Sequence, residues 1–206
     1  GTTGSVTFLG TVSPAGGNLK EPVTESTKKA ARCFYALSQN RADSKRYPAI
    51  DTLDSYSKYL EYPEFIDYSK EKLDENWVGL VNEARNVLVR GKETEEQINI
   101  LGDDSVPIDY HVTLWKSEFV DFVILQQDAF DKIDATTSLE RQEYMLKKVI
   151  NVTRSEFKFE GFEEVATYFK RLINVFRQMN YTIFKSEEFF KVEEEANAVL
   201  EERIIK

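Results

Sequence analysis

The sequence predicts a mainly α fold: a helical bundle over residues 62–206, preceded by a smaller strand-containing segment over residues 1–61. Three observations predict it. Phe162, Val165, Ala166, Phe169, Leu172, Ile173, Phe176 and Met179 recur at spacings of three and four, which sets one apolar stripe along a helix. Helix-start signals recur through the second part of the chain, at Thr94 to Gln97, Thr137 to Glu140 and Ser186. After Tyr62-Pro63 the texture changes from β-branched runs and turns to long helical periods, and the boundary is placed there.

In chain order, Ser5 to Val12 is short and β-branched and reads as a strand. Ser13 to Pro22 holds two Pro and two Gly and reads as a loop. Its glycines suggest a phosphate cradle, but no Gly-x-x-x-x-Gly-Lys-Ser/Thr pattern occurs in the 206 residues, so a shaped surface loop is favoured. Thr24 is read as the cap of a helix running to about Ser38, with Ala30, Cys33, Phe34 and Leu37 on its apolar face. Cys33 then reads as a buried structural thiol with no His to serve it. Phe65 to Arg90 reads as one helix ended by Gly91, and Thr94 opens a short helix to Leu101.

Gly102 to Asp109 is an acidic turn. Asp103 and Asp104 invite a cation, but the regular oxygens and closing Glu of a calcium loop are missing, so a solvated turn is expected. Val112 to Leu125 reads as a buried helix. His111, the one histidine, has no partners for a metal site or triad and reads as structural or exposed. The helix begun at Thr137 is expected to reach about Phe157. Gly161 breaks the chain, the Phe162–Met179 stripe follows, and Ser186 caps a last helix with a Glu-rich outer face.

Composition bounds the function. A chain of 206 residues suffices for one or two domains with a core. Its 41% hydrophobic and 31% charged residues are ordinary for a soluble protein. The net charge of −9 argues against a sequence-independent nucleic-acid binder, which needs clustered Lys and Arg. A single cysteine excludes an intrachain disulfide and fits a reducing compartment. No apolar run approaches the ~20 residues of a membrane span, so no direct membrane insertion is expected. The start Gly1-Thr2-Thr3-Gly4-Ser5 has neither a basic nor an apolar leader region and no initiator Met. A piece of a longer protein, cut upstream of Gly1, is therefore expected.

Two stretches are site-like. In Arg46-Tyr47-Pro48-Ala49-Ile50-Asp51-Thr52-Leu53-Asp54-Ser55-Tyr56-Ser57, Pro48 fixes its own φ and pushes Tyr47 toward extended backbone. Tyr47 then either offers a flat ring to a base or packs at a domain edge. In Leu125-Gln126-Gln127-Asp128-Ala129-Phe130-Asp131, Phe130 is either a second stacking ring or a helix-end anchor. Gln127 and the backbone near Ala129 are placed to read a base edge.

The first stretch resembles the adenine-side motif of rotary ATPase catalytic subunits. Gly10-Thr11-Val12-Ser13-Pro14-Ala15-Gly16-Gly17-Asn18-Leu19-Lys20-Glu21-Pro22-Val23-Thr24 resembles the Gly-Gly loop of the catalytic A subunit of V-type and archaeal-type ATPases, and Leu125 to Asp131 resembles its Gln-Gln signature. The resemblance implies that residues 1–61 are the last part of an α/β nucleotide-binding domain. It implies adenine contacts by Tyr47, Pro48, Gln127, Ala129 and Phe130, and rotor contacts by Asn18, Leu19, Lys20, Glu21, Asp103 and Asp104. It implies ATP or ADP with Mg²⁺ in the full subunit, B subunits and a central stalk as partners, H⁺ or Na⁺ transport, and a peripheral place on the cytoplasmic side of a membrane.

Phosphoryl transfer needs a phosphate cradle, a Lys, a Mg²⁺ ligand and a water-orienting residue. In that family all lie upstream, so no catalytic residue and no metal ligand is expected here. A stacked base contributes ~1–3 kcal/mol, against about 4 kcal/mol for millimolar affinity. The chain alone is therefore expected to hold no nucleotide tightly. Its sheet edge is expected to be open to pairing with another copy. Two departures stand out: Tyr47 replaces the usual Phe, and Asp51 and Asp54 follow the F-type β pattern. The alternative is a stand-alone helical interaction module with no nucleotide, in which Tyr47 and Phe130 need not meet.

Overall fold

The computed structural model describes Gly1 and residues 3–205; Thr2 and Lys206, which fall in the expected segments 1–61 and 62–206, lie outside the described residues. Their order is α1 (Pro22–Ala30), β1 (Cys33–Phe34), α2 (Gln39–Asp43), β2 (Tyr56–Ser57), α3 (Pro63–Lys72), α4 (Trp77–Leu101), α5 (Ile108–Val120), α6 (Leu139–Arg154), α7 (Phe162–Tyr181) and α8 (Glu187–Glu201). The fold is mainly helical, with one two-stranded antiparallel sheet among the described residues.

The bundle is built around α7. Its stripe, Val165, Phe169, Leu172, Ile173, Phe176 and Met179, is buried against α5 and α8. Each such side chain contributes roughly 1.5–3 kcal/mol on burial. Phe119 of α5 meets Phe176 edge-on at 4.9 Å, the favoured geometry for an aromatic pair. Ser186 caps α8 by accepting from Phe189 N at 3.1 Å. Ser138, one residue beyond the expected Thr137, caps α6 by accepting from Arg141 N at 3.2 Å.

Several expectations are corrected. Ser5 to Val12 forms no strand among the described residues, and Val6, Phe8 and Leu9 are exposed. A strand needs a neighbour to take its N–H and C=O groups, and none of the described residues pairs with it. Glu21, not Thr24, precedes α1, with Pro22 at the first helical position. The helix stops at Ala30 rather than Ser38. Residues 33–38 lie along 49–57 instead, with Cys33 opposite Ser57, Phe34 opposite Tyr56 and Leu37 bridged to Ile50. The Tyr56 hydroxyl donates to the Lys28 carbonyl at 2.5 Å, satisfying an acceptor of the last turn. Cys33 is half-buried, with Sγ 3.3 Å from Ser57 Oγ, and sits in a strand rather than on a helix face.

The helix expected over Phe65 to Arg90 is two. Asp74 accepts from Asn76 N at 2.7 Å, a local turn that competes with helix. Gly91 lies inside α4, not at its end, and Thr94 caps nothing; Gly102, at φ 87, ends that helix. Gly91 is required by packing. A Cβ built there lies 2.1 Å from Ser117 Cβ, so α4 and α5 approach at this point only because residue 91 has no side chain. Gly91→Ala is expected to cost about 1–3 kcal/mol through forced separation of the two helices, read as a lower denaturation midpoint at unchanged slope. The helix expected to reach Phe157 stops at Arg154; Lys158 N then donates to Arg203 O at 3.0 Å and Ile205 N to Glu156 O at 2.9 Å.

Between α6 and α8 the Tyr144 hydroxyl donates to the Glu193 carboxylate. Burial, then the Glu193 hydrogen bond, pushes the Tyr144 hydroxyl up to about 12. The folded-state pKa lies above the unfolded value, so this contribution is full below pH 10 and is lost as pH rises from 10 to about 12. Tyr144→Phe is expected to flatten the fall in stability over that window and to remove one late-titrating group from the tyrosinate absorbance curve. No helix among the described residues is long and apolar enough to cross a membrane.

Candidate functional site

Tyr47 follows α2 in an arm laid over the bundle. Ser38 N donates to Ala49 O at 2.8 Å, and Asp51 N to Ala36 O at 2.7 Å. Asp51 Oδ1 accepts from Leu53 N and Asp54 N at 2.9 and 2.8 Å, an Asx turn that gives this carboxylate a structural task. Arg85 of α4 holds the turn down by donating to the carbonyls of Thr52, Leu53 and Ser55. The Tyr47–Pro48 peptide is cis.

An ionic clamp fixes the arm to α5. Arg46 makes a two-pronged contact with Glu118, Nη1 to Oε1 at 3.0 Å and Nη2 to Oε2 at 2.7 Å, and donates to Asp121 Oδ2 at 2.9 Å. Arg41 Nη2 stands 2.9 Å from Asp121 Oδ1. That oxygen has no hydrogen bond in a suitable direction, so the contact is coulombic. The Arg46 guanidinium lies 4.7 Å from the centre of the Phe122 ring. Burial alone would lower the Arg46 pKa; the hydrogen bonds and charge of Glu118, with Asp121, outweigh it and raise it. Sequence reasoning missed Arg41, Arg46, Glu118 and Asp121 as a group. The visible signal was Asp121, a buried carboxylate inside an otherwise apolar run.

After Val120 the helix widens into one π turn, Asp121–Leu125, closed by Gln126 N donating to Asp121 O at 3.0 Å. Such turns are frequent at functional sites. The turn aims the next residue at the arm, where Gln127 N donates to Tyr47 O at 2.9 Å. The loop beyond caps itself. Asp128 Oδ1 accepts from Phe130 N at 2.9 Å, and Asp131 Oδ1 from Ile133 N and Asp134 N at 2.8 Å. Asp134 Oδ2 accepts from Asp128 N at 2.6 Å, and burial raises the pKa of this carboxyl. The Gln127 amide nitrogen donates to Asp134 O at 2.5 Å, which leaves its second N–H and the amide oxygen for a ligand.

Tyr47, Pro48, Gln127, Ala129 and Phe130 line one cavity of about 520 Å³, together with Lys45 and Arg177. Tyr47 is 54% exposed and Phe130 99% exposed, so both rings are open to a ligand. Two solvent-open aromatic rings and two cationic side chains thus border the same cavity. A second cavity of about 610 Å³ lies beside it, between the arm and α4, α5 and α6.

The remaining candidates lie elsewhere. Asn18 Oδ1 accepts from Lys20 N at 3.1 Å, and its carbonyl from Glu21 N at 3.2 Å, shaping an exposed turn with Leu19 half-buried. Asp103 and Asp104 are exposed in a 3₁₀ turn between α4 and α5, beside exposed Ile100 and Leu101. His111 is buried, stacked on Phe162 at 5.0 Å, with Nε2 3.1 Å from Asp103 O.

The helical domain and the arm ahead of it are similar to parts of ATP synthase subunits. Residues 66–164 match the family model of the C-terminal domain of V and A type ATP synthase, and residues 1–57 match the nucleotide-binding domain of the ATP synthase alpha/beta family. The particular chain matched is the V-type ATP synthase alpha chain, and it is its C-terminal region that this sequence resembles. Identity is 41% over 196 residues with that of Borrelia duttonii (strain Ly), covering 94% of this chain and 31% of the relative. It is 38% over 189 residues with that of Treponema denticola, covering 92% and 30%. It is 36% over 203 residues with that of Protochlamydia amoebophila (strain UWE25), covering 98% and 34%. The chain thus spans about a third of the length of these relatives.

Proposed function

We propose that the chain works as the C-terminal portion of the catalytic alpha chain of a V/A-type rotary ATPase, with Tyr47 and Phe130 holding the adenine of ATP. The observation that carries this reading is their shared cavity, reached from two motifs far apart in sequence and joined by the Gln127–Tyr47 backbone bond. Pro48 and the backbone at Ala129 flank the base, and the Gln127 amide oxygen accepts from its exocyclic amine. Lys45 and Arg177 face the ribose side.

Phosphoryl transfer and the Mg²⁺ that accompanies ATP belong to residues outside this sequence; among the described residues no three His, Cys, Asp or Glu side chains gather into a metal site. Alone, the chain turns over no ATP and binds it at millimolar concentration or more weakly. In the assembled motor it alternates with B subunits around a central stalk. Asn18 to Glu21 and the Asp103–Asp104 turn press on that stalk, on the cytoplasmic side of the membrane through which H⁺ or Na⁺ passes.

Kinetics of the assembled complex test this. Tyr47→Ala and Phe130→Ala each raise KM for ATP by about 5- to 150-fold, the equivalent of one lost stacking contact, while kcat changes little. Tyr47→Phe stays near the parent value. KM unchanged in both alanine variants contradicts the assignment.

A further inference from the structure

We propose that Arg46 is a positioning residue for the base: held by Glu118 and Asp121, it sets how the Tyr47 ring stands against the loop that carries Phe130. The inference rests on the adenine reading above and adds residues that touch no ligand. Arg46, Glu118 and Asp121 line neither cavity, so they act on a bound base only through other residues. Both rings are open to solvent, so neither is placed by packing of its own.

The spacing of the rings is therefore a matter of backbone. One N–H···O bond, Gln127 to Tyr47 at 2.9 Å, joins the two segments, and a single bond leaves them free to twist about it. Arg46 supplies a second hold. Its fork on Glu118 fixes a plane as well as a distance, and its third bond reaches Asp121. Asp121 then serves both sides. Its carboxylate accepts from Arg46, next to Tyr47, and its carbonyl accepts from Gln126 N, at the root of the Phe130 loop. The chain bends sharply to meet this clamp. Lys45 stands at φ 56, a left-handed backbone that a Lys rarely adopts and that its surroundings must hold. The Arg46 side chain and the bond from Arg46 N to Arg41 O at 2.8 Å are among those holds. The Tyr47 hydroxyl, 3.4 Å from Ala42 O, is too loosely bonded to fix the ring alone.

Steady-state kinetics of the assembled complex test this through a double-mutant cycle. Arg46→Met keeps an apolar stem against Phe122 and removes the charge. It is expected to raise KM for ATP about tenfold, within the range of one lost stacking contact, with kcat little changed. In a Tyr47→Ala background it is expected to add nothing, since the ring it places is gone. Glu118→Gln, which leaves Arg46 its bond to Asp121, raises KM by a smaller factor and carries the test where Arg46→Met does not assemble. Arg154→Met breaks an equally two-pronged bridge, to Glu83 at 2.7 and 2.6 Å, whose residues line neither cavity, and is expected to leave KM at the parent value. Parent KM in Arg46→Met and Glu118→Gln, with KM raised in Tyr47→Ala, overturns the proposal and leaves the adenine reading standing. So do effects of Arg46→Met and Tyr47→Ala that multiply, or an equal rise in Arg154→Met. Parent KM in Tyr47→Ala overturns the adenine reading and this inference with it.

Discussion

Asp121→Ala is expected to lower the unfolding free energy by about 3–5 kcal/mol. The Asp121 side chain is only 6% exposed, and it faces two guanidinium groups, Arg41 Nη2 and Arg46 Nη1, each at 2.9 Å. Removing the carboxylate leaves Arg41, whose side chain is 13% exposed, without its counter-charge in a site from which it cannot readily reach water. The loss of a buried partner is costlier than the pair is stabilising, since the desolvation of the survivor is no longer offset. Glu118→Gln gives the contrast: Arg46 and Glu118 are 27% and 24% exposed, and Arg46 keeps Asp121, so the cost stays within about 1–2 kcal/mol. Denaturant unfolding of both variants measures the difference. Asp121→Ala at parent stability means that the clamp is an incidental contact.

The second large effect belongs to the bundle. Phe176→Ala is expected to cost about 3–5 kcal/mol, from lost transfer energy and the cavity left beside Phe119. Phe176 is 1% exposed and joins α7 to α5 through the edge-on contact at 4.9 Å. The helices on either side are tied to other partners and close such a gap only in part. Phe190→Ala, on the outer side of α8 where the ring is 44% exposed, is expected to stay within about 0.5–1 kcal/mol. Equal losses at the two positions would mean that the α7 stripe does not organise the core.

The sequence was most legible where one element decides its own face. The α7 stripe and the Ser186 cap of α8 are local signals, and both stand in the fold as read. Residues 33–38 were misread because their apolar spacing fits a helix, while the ladder that claims them comes from 49–57, beyond any local window. Gly91 was misread because a glycine that ends a helix and one that lets two helices touch leave the same mark in a sequence; only Ser117, on the next helix, separates them. The site shows the same division. Tyr47 and Phe130, which line one cavity, were singled out through their motifs, whereas the residues that carry the arm, Arg46 and Asp121, were not. A salt bridge across so much chain has no spacing rule. The one hint was a carboxylate standing where a helix is otherwise apolar.

The most direct test of the adenine assignment is photolabelling of the assembled complex with 2-azido-ATP, followed by mapping of the modified peptides. The base carries the reactive nitrogen, so the label reports what lies against adenine rather than against phosphate. Label on Tyr47 or on the Gln126–Asp131 segment, suppressed by excess ATP, is the predicted result. ATP-suppressible label found only outside this chain, or only on the rotor-facing turns at Asn18 and Asp103, would contradict it.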